Sequence, residues 1–341
     1  MITLLRKPAN RPHPLLVRDR YTQSVPLTWV ASTPNQPLVN LGDALSPIII
    51  SALSGLPIVH RHFDSSQKRL ACVGTIGHAL RNGEVHLWGT GIDKARHPSV
   101  RSLFFYERPP KTEFRVHALR GPFSAQTFQH QGIEVPEVYG DPVWFLPSLM
   151  QPASEKRYEL GVIVHLSELE ALGEAAIVRR ELIRYRIPQS IASDVRIITT
   201  LTQPTFGSLE EKVKEITSCK RIVSTSLHGL VIAEAYQIPC AYFQIAGAGG
   251  RFIRLQNQKA RIDHRFRDFY SGLNIEKILV YGQDLNEETA WEKIISDLDR
   301  YWSPLEWSAQ SFLESFPLPL VFNPLSREAF KGQSLFQHIK L

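Results

Sequence analysis

The segment Arg221–Phe243, RIVSTSLHGLVIAEAYQIPCAYF, changes hydrophobic rhythm twice in one short span. β-Branched residues open it as a buried strand, and the hydroxyl run Ser224, Thr225, Ser226 breaks the pattern. Leu230, Ile232, Ala233 and Tyr236 then continue with helical spacing until Pro239 starts a second apolar run. Strand, turn, helix and strand in that order point to an α/β fold. His228-Gly229 falls where the helix begins, past the carboxyl end of a strand. Backbone N–H groups point outward there, and the helix dipole favours an anion. The segment therefore predicts an α/β protein that handles something negatively charged.

The same alternation runs along the chain. Strands are expected at Leu27–Ala31, Arg69–Ile76, Val85–Trp88 and Phe114–Leu119. A helix N-capped by Asp43 should stop at Gly55, and another, opened by Pro122, should end near Gly132. Residues 146–158, polar and proline-bearing, read as a linker. The pattern then restarts with strands at Leu160–Val164, Val195–Thr200, Arg221–Thr225 and Ala241–Gln244, a helix at Ser208–Thr217 and an amphipathic segment at Asn286–Tyr301. The chain has 341 residues, and single cores seldom grow past ~250–300 residues. The expected fold is α/β, with two Rossmann-like domains facing a cleft: residues 1–150 and residues 151–341, whose tail crosses back to the first. Trp302, Trp307 and Phe312 in that tail are expected to pack across the cleft. Ligands of such folds sit near the carboxyl ends of the strands. That rule singles out Asn40–Asp43, Gly74-Thr75, Gly89–Gly91, Arg120, Asp141, His165 and Ser224–His228.

Lys and Arg outnumber Asp and Glu by 39 to 33, with no run of five basic residues. The excess suits an anionic substrate or a membrane surface, and no nucleic-acid partner is expected. Cys72, Cys219 and Cys240 are widely spaced and read as small core residues, not a disulfide frame or a metal site. His60, His62, His78 and His86 lack a third ligand at metal spacing. The opening stretch MITLLRKPANRPHP has no signal-peptide apolar run. No stretch approaches the ~20 apolar residues that span a bilayer. The expected location is the cytoplasm, including peripheral association at the inner face of the membrane.

In order and spacing, these residues resemble the polysaccharide pyruvyl transferase family. Asn40-Leu41-Gly42-Asp43 is similar to the family's Asn-x-Gly-Asp element, and Gly89-Thr90-Gly91 to its Gly-Thr-Gly turn. Arg120-Gly121-Pro122 and Gly140-Asp141-Pro142 follow the Arg-Gly-Pro to Gly-Asp-Pro stretch. His165 ends a second-domain strand, and Leu227-His228-Gly229 carries the Leu-His-Gly signature. The resemblance covers Leu27 to Gln244. It departs at Ser226, where many members have Arg, so Arg251 or Arg254 is expected to supply the missing cation. The resemblance implies a GT-B-like architecture. It also implies transfer of pyruvyl from phosphoenolpyruvate to two hydroxyls of a saccharide acceptor, free or lipid-linked, giving a cyclic ketal and phosphate. No metal or organic cofactor is implied.

Ketal formation needs cations for the donor's carboxylate and phosphate, an acid for the enol carbon and a base for the hydroxyls. Histidine works in both directions near neutrality, so His228 is the expected acid/base, with Asp43 and His165 as further catalytic candidates. Arg120 is the expected donor clamp through paired hydrogen bonds, against a surface pairing with Glu107 or Glu113. Ser224, Thr225, Ser226, Gly229 and Arg251 complete the donor set, and Asn40, Gly89 and Thr90 the acceptor set. Capping and tight turns are the structural alternatives for the hydroxyls, Asp43 and the glycines. Two other functions compete. A nucleotide-sugar glycosyltransferase would use the same cleft and a ribose-binding carboxylate, for which Glu234 is the candidate; a non-catalytic partner in polysaccharide assembly would keep only the fold. A dinucleotide oxidoreductase fits poorly, because no G-x-G-x-x-G follows the first strand.

Overall fold

Apolar runs separated by glycine-bearing turns make the first half a sheet. Its strands are β1 (Val17–Arg18), β2 (Gln23–Thr28), β3 (Val39–Asn40), β4 (Ile58–His60), β5 (Arg69–Ala71), β6 (Gly83–Thr90) and β7 (Thr112–Leu119). All but β3 join one six-stranded sheet in the order β1-β2-β5-β6-β7, with β4 also paired to β2. Only β1 pairs antiparallel. The computed structural model describes residues 13–18, 23–100, 102–173, 175–326 and 328–341. The opening stretch read for a signal peptide lies, through residue 12, outside the described residues.

Two helices accompany these strands, α1 (Leu41–Ser54) and α2 (Pro122–Gln129). α1 is buried almost all round, including Ile48, Ile49, Ile50 and Leu53, as an apolar helix must be. Gly55, left-handed at φ 67°, ends it.

The second half contains α3 (Leu146–Leu149), β8 (Leu160–Val164), β9 (Val195–Thr199), β10 (Leu201–Thr202), α4 (Phe206–Thr217) and β11 (Ile222–Ser224). It continues with α5 (Leu227–Ala235), β12 (Cys240–Gln244), β13 (Gly249–Arg254), α6 (His264–Gly272), β14 (Lys277–Gly282), α7 (Trp291–Tyr301) and α8 (Gln310–Glu314). Its sheet runs β13-β14-β12-β11-β8-β9, parallel except for the edge strand β13. β8, β11 and β12 are buried throughout, which is why they read as continuous apolar runs rather than alternating ones.

Among the connections that join the halves, three fix their relation. β3 pairs antiparallel with β10, and Leu41 N–H donates to the Thr200 carbonyl at 2.8 Å, so α1 starts on the second half. Arg120, just before α2, pairs with Asp268 of α6 at 3.1 Å. Phe312 of α8 stacks on Trp88 with ring centroids 4.5 Å apart, and Trp88 Nε1 donates to the Phe312 carbonyl at 3.1 Å. Cys72, Cys219 and Cys240 are buried and unpaired.

The structure corrects several expectations. α1 is capped by Asn40, whose Oδ1 accepts from Gly42 N–H at 3.3 Å, and not by Asp43. Asp43 thus falls inside the first turn with its carboxylate free to point elsewhere. The first long strand is 23–28 instead of 27–31, and the strand from Arg69 stops at Ala71 before a bend at Gly74, φ 103°. Part of the expected linker is helical, as α3. β4, β13, β14 and α6 are elements beyond those expected. β13 opens with two glycines and carries two arginines, a poor strand composition that exists here through its pairing with β14.

Candidate active site

The N-termini of α1 and α5 meet between the two sheets. Ser226 caps α5 with its backbone, since its side chain makes no cap bond, and His228 occupies the first turn. His228 is 8% exposed, and its imidazole lies against Gly42, where an added Cβ would fall 1.9 Å from Nδ1. On its other side, Nε2 faces Asp141 Oδ2 at 3.6 Å. Both atoms are buried, and among the described residues neither has a hydrogen-bond partner. Asp141 Oδ1 is committed to Val143 N–H at 3.0 Å, so the turn before α3 fixes the carboxylate and aims its free oxygen at the histidine.

Asp43 adds a second acid. Burial pushes its carboxyl up to about 6; the charges of His228 and Arg265 hold it down, and Asp141 adds to the rise. Arg265, at the start of α6, is clamped by Asp263 at 2.8 Å, and its Nη1 donates to His165 Nε2 at 2.9 Å. Burial, then the Arg265 charge, lowers the His165 pKa, so this imidazole is neutral near pH 7. The backbone N–H of His165 donates to Thr225 Oγ1 at 2.8 Å, and that hydroxyl in turn donates to Glu168.

Arg120 is wholly buried. Its Nε donates to Asp268 at 3.1 Å and its Nη1 to Thr75 Oγ1 at 2.6 Å, while Nη2 is buried with no partner among the described residues. Gly91 lies on the guanidinium, since a Cβ there would come within 2.3 Å of Cζ. Asp268 also accepts from Ser124 N–H and Oγ, at 2.9 and 2.6 Å. The acid paired with Arg120 is therefore Asp268; Glu107 and Glu113 pair with His97 and Arg115 instead.

Other sequence candidates are structurally committed. Ser224 Oγ contacts the carbonyls of Ile163 and Ser226 at 3.1 and 2.8 Å, and Gly229 packs against it. Thr90 Oγ1 meets the carbonyls of Ala71 and Cys72, both at 2.8 Å. Gly89, at φ 81°, packs on Pro142, and Asn40 is the α1 cap. Arg251 stands in a separate cavity beside Arg254, and among the described residues no hydrogen bond or ion pair joins it to His228, Asp43 or Arg120. Glu234 lies by Cys240, at the amino end of β12, and accepts from Tyr270 Oη at 2.9 Å; burial pushes its carboxyl up to about 7. A ribose at the carboxyl ends of the strands would be out of its reach.

Sequence reasoning missed Arg265, Asp263 and Asp268. The signal was the run RIDHRFRD at 261–268, dense in cations and acids and opening a helix. Between the halves lies a cavity of ≈ 440 Å³ lined by Lys94, Phe123 and Gln126 from one side and Gln256, His264 and Arg267 from the other.

Residues 76–245 match the family model for polysaccharide pyruvyl transferase. The chain belongs to the polysaccharide pyruvyl transferase family. It is accordingly a transferase of polysaccharide biosynthesis with a saccharide acceptor. The matched span holds Arg120, Asp141, His165 and His228 of this pyruvyl transferase family member, whereas Gly42, Asp43 and Arg265 come to the same site from outside it. No curated protein and no solved structure matches the chain. Among the described residues, no helix is long and apolar enough to cross a membrane.

Proposed function

We propose that this transferase moves the pyruvyl group of phosphoenolpyruvate onto two hydroxyls of its sugar acceptor, forming a cyclic ketal. A proton adds to C3 of the enol, one hydroxyl oxygen bonds to C2, and the second displaces phosphate from C2. Of the two protons the hydroxyls give up, one ends on C3 and the other on the departing phosphate.

The observation that carries this reading is the His228–Asp141 pair: two buried atoms facing each other at 3.6 Å, otherwise unpartnered, beside an Asp43 carboxyl near pKa 6. A carboxyl that ionises near neutrality, as that of Asp43 does, suits proton transfer in both directions. In this scheme Asp43 protonates C3, and His228 takes the hydroxyl protons while Asp141 steadies the imidazolium that results. Arg265 is the donor cation in place of the Arg absent at position 226, and the α5 N-terminus adds backbone donors for phosphate. Arg120 acts one layer back, holding α2 against α6. We further read the two sheets as Rossmann-like domains in a GT-B-like arrangement, divided near residue 150. The acceptor would be reached at the cytoplasmic face of a membrane when it is lipid-linked.

Glu234 weighs against the nucleotide-sugar alternative, because it is buried at the wrong end of β12 for a ribose. Calorimetric titration with phosphoenolpyruvate and, separately, with uridine diphosphate tests the choice. Saturable binding of phosphoenolpyruvate alone is expected. Binding of the nucleotide alone would transfer the chain to glycosyl transfer, and binding of neither would favour a non-catalytic role.

A further inference from the structure

Four cations line one cavity with no acid to balance them. Arg251, Arg254, Lys259 and Arg261 surround a space of ≈ 720 Å³ that begins at Gln244, the carboxyl end of β12. Among the described residues, none of the four enters an ion pair. Arg251 is held in place all the same: its Nη2 donates to Gln244 Oε1 at 3.1 Å and to the Ala246 carbonyl at 3.0 Å. Gly247, at φ 85°, lies against that guanidinium, where a Cβ would come within 2.1 Å of Nη2. Positive charges brought together this way repel one another and call for a multiply charged anion. Guanidinium groups bind phosphoryl oxygens in pairs, and the cavity is too large for a single phosphate group.

We propose that this cavity is a diphosphate-ester subsite, distinct from the donor's site at His228 and Arg265. Its ligand is the diphosphate end of the acceptor. Ala260 lines both this cavity and the ≈ 440 Å³ one between the halves. The neighbouring space offers Phe123 with Gln126, Gln256 and Gln258, an aromatic face among carboxamides that suits a saccharide. The acceptor would thus lie with its sugar between the halves and its diphosphate among the four cations. The assignment of the ligand to the acceptor rests on the ketal-transfer reading; the anion site does not.

The test is isothermal titration of the full chain with pyrophosphate at fixed ionic strength, with and without saturating phosphoenolpyruvate. Wild type is compared with the double variant Arg254→Ala/Arg261→Ala, whose side chains are exposed. Pyrophosphate affinity is expected to be unchanged by phosphoenolpyruvate and at least about tenfold weaker in the variant. Phosphoenolpyruvate should bind both proteins equally. Displacement of pyrophosphate by phosphoenolpyruvate, equal pyrophosphate affinity in both proteins, or no pyrophosphate binding by wild type would overturn the proposal. Inorganic phosphate binding as tightly as pyrophosphate would overturn the diphosphate assignment. Failure of wild type to bind phosphoenolpyruvate would sink the donor reading instead, with the pyrophosphate comparison still standing.

Discussion

His228 rests on the bare α-carbon of Gly42, so close that a methyl group there would sit 1.9 Å from Nδ1. The contact joins the N-termini of α1 and α5 and leaves the other ring nitrogen facing Asp141. A glycine here is required by what stands over it, since Gly42 is an ordinary helical residue.

Gly42→Ala should therefore behave as an active-site mutation. The new methyl must push the imidazole off its line to Asp141. Turnover is expected to fall by about 10²-fold or more, approaching His228→Gln, because a misplaced acid/base group is nearly as poor as an absent one. Phosphoenolpyruvate should still bind both variants. Wild-type turnover in Gly42→Ala would show that the ring has room to move.

Asp43 links protonation to folding. Its carboxyl ionises near 3.8 when unfolded and about 6 in the folded chain, so protonation stabilises the fold. That stabilisation is complete below about pH 3.8 and is lost as the pH rises through about 6. Asp43→Asn cannot ionise and should be more stable than wild type at pH 8, by up to about 3 kcal/mol. Urea unfolding at pH 8 and pH 4.5 should find the difference shrinking at the lower value. A difference that grows toward acid would mean that Asp43 is held as a carboxylate.

Arg120 and Arg265 should separate cleanly. Arg120→Ala leaves Asp268 buried without its cation and is expected to destabilise the fold by about 3–5 kcal/mol. Arg265→Ala, at a partly exposed helix start, should unfold near wild type and bind phosphoenolpyruvate at least about tenfold more weakly. Denaturant titration and calorimetry on the two variants provide the comparison. Normal stability with lost donor binding in Arg120→Ala would make it the clamp after all.

Phe312→Ala removes the ring stacked on Trp88 and should cost about 3–5 kcal/mol. Urea unfolding followed by tryptophan fluorescence measures this. A loss of less than about 1 kcal/mol would mean that the tail is decoration on the first sheet.

The α/β character was legible wherever strands were buried on both faces, as at Leu160–Val164 and Cys240–Gln244, because composition alone marks such runs. The His228 turn was legible for the same reason: its hydroxyls interrupt an apolar pattern. Asp141 and Arg265 were harder to weigh. Asp141 reads as a turn former, and it is one through Oδ1; its second oxygen acquires meaning only when α5 arrives from 87 residues further along. Arg265 lies in a charge-rich run that looks like a solvated face until α6 packs against the first half. Thr90 and Ser224 illustrate the converse. Hydroxyls beside strand ends look available, and burial ties both to carbonyls.

The short ladder between β3 and β10 has a mechanical consequence. Because α1 grows out of it, Asp43 and Gly42 are carried by the half that bears His228, although they precede it by most of the chain. Swinging the halves apart would have to break this ladder, the Arg120–Asp268 pair and the Phe312–Trp88 stack together. Such a molecule has no free hinge. Asp43, Asp141 and His228 stand assembled without a ligand, and a small-angle scattering profile should be the same with and without saturating phosphoenolpyruvate.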